Sequence, residues 1–243
     1  MSDPGHGAPA PRIELIDAVR GLSILLMVAY HAGYDLVAAG LLPYGLVFNP
    51  LLSVLQPLFA GVFILLAGVS ARFSRDNRRR GLQVLGCALL VSLAAGFVNV
   101  PIPFGILHCL GVCMVLCGSP AAWVDRIPRG WQPVLFSALF AAGYLWFPFY
   151  AEGAARFPYL YMFGVLYRGF RAYDYFPLIP WFFLYLLGVW LGAYVRERRF
   201  PAWFYTWRVP VLPAIGRRTL LIYLLHQPVI YVAVQWAAGL AGE

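Results

Sequence analysis

The sequence has no lysine. All 18 basic residues among its 243 are arginine, set against 10 acidic residues for a formal charge of +8. Charge of either sign is scarce: 12% of positions carry it, where soluble domains average roughly a quarter. With 62% hydrophobic residues and a mean hydropathy of +0.74, that scarcity excludes a water-soluble globular domain. Cysteine is equally thin. Cys87, Cys109, Cys113 and Cys117 lie inside apolar runs, where they act as small buried hydrophobes, so no disulfide framework is implied. Cys109, Cys113 and Cys117 share a helix face beside His108, but one straight helix cannot wrap a tetrahedral ion, and no metal is expected. Internal repeats and glycine-rich phosphate loops are missing too, so residues 12–243 read as one domain. Residues 1–11, MSDPGHGAPAP, lack the charged opening of a cleavable signal peptide and read as a disordered tail.

What the sequence has in quantity is apolar runs. In lipid only a helix or a closed barrel satisfies its own backbone, and a helix needs about 20 apolar residues to cross. Seven runs approach that length, near residues 17–42, 51–73, 81–100, 104–123, 132–150, 176–195 and 219–238. They predict an all-α polytopic transmembrane bundle of about seven spans. The arginines sort by connection. Fifteen fall in the N-terminal segment and in every second connection, in groups around Arg20, Arg72 to Arg80, Arg126 and Arg196 to Arg218; the alternate connections hold Arg156, Arg168 and Arg171. Because cytoplasmic loops keep the basic excess, the N-terminus is expected inside and the C-terminus outside. The positive charge is thus a topology signal and a contact for lipid headgroups, and nucleic acid is not an expected partner. The total exclusion of lysine reads as a compositional bias.

Titratable groups inside the hydrocarbon are costly, and each is a functional candidate. Arg20 and His31, eleven residues apart, stand about three full turns from each other on one helix face, separated by about 16 Å. Asp35, at i+4 from His31, extends the stripe and suits the orientation of a general base. His108 opens the fourth run, and His226, followed by Gln227 and Pro228, lies within the seventh, where proline frees backbone carbonyls. Arg78, Arg79 and Arg80 after the second run, and Arg217 with Arg218 before the seventh, are expected at the same membrane face as Arg20. Such clusters clamp phosphates, and they equally serve as stop-transfer and headgroup contacts.

The opening RIELIDAVRGLSILLMVAYHAGYDL resembles the start of the bacterial heparan-α-glucosaminide N-acetyltransferase catalytic-domain family, within the transmembrane acyl transferase superfamily. LLAGVSARFSRDNRRRGLQVL, PFGILHCLGVCMVL, YFPLIPWFFLYLLGVWLG and GRRTLLIYLLHQPVI follow in matching order. The resemblance implies an acyltransferase of the bacterial cytoplasmic membrane that moves an acetyl group from cytoplasmic acetyl-CoA to an amino-sugar or glycan acceptor. It also implies that the Arg-Gly pair followed by a histidine, here Arg20, Gly21 and His31, carries the catalytic histidine. On that reading Arg20, Arg78, Arg79, Arg80, Arg217 and Arg218 surround the CoA phosphates. His31 and Asp35 form the base, and His226 or His108 orients substrate or stabilises the oxyanion; an acetyl-histidine intermediate is the alternative to direct transfer. Animal lysosomal relatives place a histidine in the outer loop after this helix, and residues 41–50 contain none. Two rival readings use the same residues: a small transporter or flippase for a polar lipid or glycan, and a membrane partner without turnover.

Overall fold

The computed structural model describes residues 12–118, 123–146, 149–150 and 157–241; the expected tail, residues 1–11, lies outside them. Within the described residues the elements in chain order are α1 (Glu14–Ala38), α2 (Pro50–Ala71), α3 (Asn77–Phe97), α4 (Ile106–Cys117), α5 (Gln132–Trp146), α6 (Leu178–Arg196), the short α7 (Ala202–Thr206) and α8 (Leu212–Gly216), and α9 (Thr219–Ala241). Two-residue strands β1 (Phe149–Tyr150) and β2 (Val165–Leu166) pair in parallel.

Local chemistry sets several helix starts. Asn49 caps α2 by accepting from the Leu52 N–H at 3.0 Å, with Pro50 in the first turn, and Asp76 caps α3 by accepting from the Arg79 N–H at 2.8 Å. Glu14 and Asp17 place negative charge in the first turn of α1, where the helix dipole favours it.

Five helices, α1, α2, α3, α6 and α9, are long and apolar enough to cross a membrane, and the chain is an integral membrane protein. Every expected run forms a helix, but two are shorter than the hydropathy suggested. α4 has 12 residues and α5 has 15, which span about 18 and 22 Å against a hydrocarbon core of about 30 Å. α4 stops because Gly118 turns left-handed, with φ of +63°.

The connections meet at two ends. At one end Arg72 grips Asp125 with two bonds of 2.7 Å, Arg129 donates to Glu197 at 2.6 Å, and Arg78 lies over Gly118. At the other, the Tyr173 N–H donates to the Pro101 carbonyl at 3.1 Å and the Phe176 N–H to the Phe104 carbonyl at 3.0 Å. The helices therefore run back and forth between an arginine-rich end and an aromatic-rich end.

Helix contact depends on missing side chains, as is usual where lipid gives no hydrophobic drive for association. A Cβ on Gly68 of α2 would strike the Tyr185 carbonyl of α6, and one on Gly216 of α8 would strike the Asp17 carbonyl of α1. In the core between α2, α4 and α6, Ile64, Cys109, Cys113, Tyr185 and Val189 are fully buried. The opposite faces are apolar and exposed, with Leu82, Leu89 and Leu93 on α3 and Leu225, Val229 and Val232 on α9, as lipid contact requires.

Candidate active site

Between α1, α2, the start of α4, the Asp174 loop and α9 lies a narrow cleft with a volume of about 40 Å³. Its polar lining is Ser23, Tyr30, His31, Gln56, Asp174 and Tyr223, set among Ile24, Met27, Phe59, Phe63, Ile106 and Phe176. Along α1 it runs from Ser23, three residues past Arg20, to His31, a rise of about 12 Å.

At its upper end the structure brings His31 and His226 together, 195 residues apart in sequence, with Nδ1 of His31 2.9 Å from Nε2 of His226 and the rings 5.1 Å between centroids. Nδ1 of His226 lies 2.6 Å from the Tyr223 carbonyl. A carbonyl only accepts, so Nδ1 of His226 carries the proton; neutral His226 then offers Nε2 as an acceptor, and His31 donates its Nδ1 proton to it. Nε2 of His31 is left with a lone pair and, among the described residues, no partner. A chain of this form fixes both the tautomer and the orientation of an imidazole that takes a proton at Nε2.

Asp35 is not the partner of His31. Its Oδ2 accepts from Gln227 Nε2 at 2.7 Å, and among the described residues no hydrogen bond joins it to His31. The α1 face carrying His31 and Asp35 is matched instead, residue for residue, by His226 and Gln227 of α9, which ties the two helices at two successive levels. His108 sits elsewhere: the Gly105 N–H donates to its Nδ1 at 3.2 Å, so it caps the first turn of α4, and its ring stacks on Phe104. It does not line the cleft, although Ile106 beside it does.

Sequence reasoning missed Asp174, Tyr223 and Gln56. Oδ2 of Asp174 accepts from the Ile106 N–H at 3.1 Å and from the Tyr223 hydroxyl at 2.9 Å. Burial raises its proton affinity above the ordinary carboxyl range, against the pull of those two donors. Tyr223 thus touches both halves of the site, through its hydroxyl to Asp174 and its carbonyl to His226. Gln56 lines the cleft with no hydrogen-bond partner among the described residues.

Arg20 is engaged at the foot of the cleft. Its Nη2 donates to the Leu66 carbonyl at 3.1 Å and to the Ser70 hydroxyl, and its Nη1 stands 3.5 Å from the Asp17 carboxylate. It therefore cross-links α1 to α2, and it feels the charge of Arg80. Arg78, Arg79 and Arg80 are exposed at the start of α3, and Arg217 and Arg218 are exposed just past Gly216, which packs on Asp17. Arg20, Arg80, Arg217 and Arg218 thus gather at the arginine-rich end. Among the described residues no group of three His, Cys, Asp or Glu side chains is placed to hold a metal ion.

These features define a polytopic membrane protein with a polar, histidine-bearing cleft. The family model described as heparan-alpha-glucosaminide N-acetyltransferase, catalytic, matches residues 12–228, and the chain belongs to that family. Membership implies a membrane acetyltransferase dependent on acetyl-CoA. No curated protein and no solved structure matches the chain.

Proposed function

We propose that the chain transfers an acetyl group from cytoplasmic acetyl-CoA to an amino-sugar or glycan acceptor at or across the membrane, with His31 as the general base. The observation that carries this reading is the His31–His226–Tyr223 chain, which leaves Nε2 of His31 with a free lone pair in a residue that lines the cleft. Residues 12–243 act as one domain with the N-terminus in the cytoplasm of a bacterial inner membrane, since the arginine-rich end is the cytoplasmic one.

The exposed guanidiniums of Arg78, Arg79, Arg80, Arg217 and Arg218 bind the CoA phosphates, and Arg20 contributes the donors not spent on α2 and Asp17. The pantetheine arm lies in the cleft alongside Ser23, Met27 and Phe63, which brings the thioester toward His31. There Nε2 takes the acceptor's proton as the acceptor attacks the thioester carbon, the oxyanion is met by an amide donor from Gln56, and the C–S bond breaks. The thiolate leaves with the proton from the His31 imidazolium. His226 orients His31, Asp35 and Gln227 hold α1 to α9 around the pair, and His108 acts by capping the helix that forms the cleft wall.

Purified chain in detergent, mixed with acetyl-CoA and glucosamine, tests this directly by titration of released CoA thiol. Acceptor-dependent release is expected; release no greater than in the acceptor-free control overturns the proposal.

A further inference from the structure

Asp174 differs from most carboxylates near the helices. Asp17 has Arg20, Asp125 has Arg72, Glu197 has Arg129 and Arg199, Asp76 caps a helix, and Asp35 binds an amide. Among the described residues Asp174 has no cationic partner, and it is half-buried. Both of its hydrogen bonds fall on Oδ2, from Ile106 and Tyr223, and Oδ1 is unengaged. The residue lines the same cleft as His31. Its position is fixed, because the Phe176 and Tyr173 N–H groups bond the segment before α4, and Gly105 leaves the space that a Cβ would take from its carboxyl group.

A half-buried carboxylate that has one unbonded oxygen, no counter-charge of its own and a place in the cleft lining attracts a cationic group. We propose that Oδ1 of Asp174 is the acceptor-selecting group: it binds the ammonium of an amine acceptor and takes its first proton. The inference rests on the acetyltransferase reading and names what that site prefers. An amine arrives protonated and has no lone pair for attack. Transfer of one proton to Oδ1 yields the neutral amine, whose nitrogen attacks the thioester carbon. The second proton passes to Nε2 of His31 and from there to the thiolate as the C–S bond breaks. One N–C bond forms, one C–S bond is lost, and the proton held by Asp174 is the single proton released overall. A carboxyl whose proton affinity is raised by burial is suited to that first step. A hydroxyl acceptor brings no charge to Oδ1 and gains nothing from it.

Two experiments on the full chain in detergent test this. In the first, Asp174→Asn is compared with the parent: the KM for glucosamine is expected to rise by about tenfold or more while the KM for acetyl-CoA holds. Parallel loss of acetyl-CoA affinity, or an unchanged glucosamine KM, overturns the assignment. The second needs no variant. Dicyclohexylcarbodiimide modifies protonated carboxyls in apolar surroundings, and mass spectrometry is expected to locate the adduct on Asp174, with glucosamine protecting it and glucose failing to. Equal labelling with either sugar, or none at Asp174, overturns the inference even if Asp174→Asn does not fold. A parent that releases no thiol with any acceptor sinks the acetyltransferase reading, while the protection pattern still decides whether Asp174 binds amines.

Discussion

Replacing His226 with alanine separates a histidine that does chemistry from one that merely joins two helices. His226 Nε2 is the acceptor for the His31 Nδ1 proton across 2.9 Å, and its own Nδ1 is committed to the Tyr223 carbonyl. Without it His31 keeps its ring but loses the partner that holds the proton on Nδ1 and the lone pair on Nε2. The loss is largest once His31 becomes an imidazolium, because the missing bond is then one to a charged group, about 1.5–3 kcal/mol, or about 10- to 100-fold in kcat. Thiol release with acetyl-CoA and glucosamine measures it, and the KM for acetyl-CoA is expected to hold. His226→Gln, whose amide oxygen accepts the same proton, is expected to recover part of the rate. His108→Ala, which removes only the cap of α4, is expected to lower thermal stability and leave kcat within about twofold of the parent. An His226→Ala variant with parental kcat, or one no slower than His108→Ala, refutes the orienting role.

Other consequences follow from the arginine-rich end. Arg20→Ala removes bonds to Leu66 and Ser70 and strands Asp17, so it is expected to cost about 1.5–3 kcal/mol of stability as well as CoA affinity. An unchanged melting temperature contradicts the cross-link, and an unchanged calorimetric CoA affinity removes Arg20 from the phosphate site. The Arg72 guanidinium holds the Asp125 carboxyl below its ordinary value of 3.8. A depressed folded-state value contributes stability that is present above the ordinary value and fades as pH falls through the lowered one. With the Asp125 side chain 41% exposed, the contribution is screened to about 1 kcal/mol or less. The melting-temperature gap between parent and Asp125→Asn is expected at neutral pH and should close in acid below about pH 4; a gap independent of pH contradicts it.

Much of this site is legible in the residues of α1. The eleven-residue spacing of Arg20 and His31 puts both on one face, and the structure has Arg20 at the foot of the cleft and His31 in its wall. The polar His226-Gln227 pair in an apolar run likewise marks the facing surface of α9. The choice of partners is not legible. Spacing of i and i+4 favours a bond between His31 and Asp35, but α9 approaches closely enough for each to bond across the helix interface instead, a tertiary preference that helical periodicity cannot express. His108 carries the same intramembrane signal as the other histidines, yet its place three residues after Gly105 at a helix start makes it a cap. Asp174 sits in a loop that reads as extramembrane, and only the folding of that loop onto α4 and α9 brings its carboxylate into the cleft. Hydropathy also runs past Gly118 without registering the left-handed turn that ends α4.

The central claim is that Nε2 of His31 takes the acceptor's proton, and His31→Ala tests it most directly. The variant is predicted to be monodisperse in detergent, to bind acetyl-CoA with parental affinity, and to transfer acetyl about 10²- to 10⁴-fold more slowly, the usual cost of losing a general base. Transfer by His31→Ala at a rate near the parent's contradicts the account.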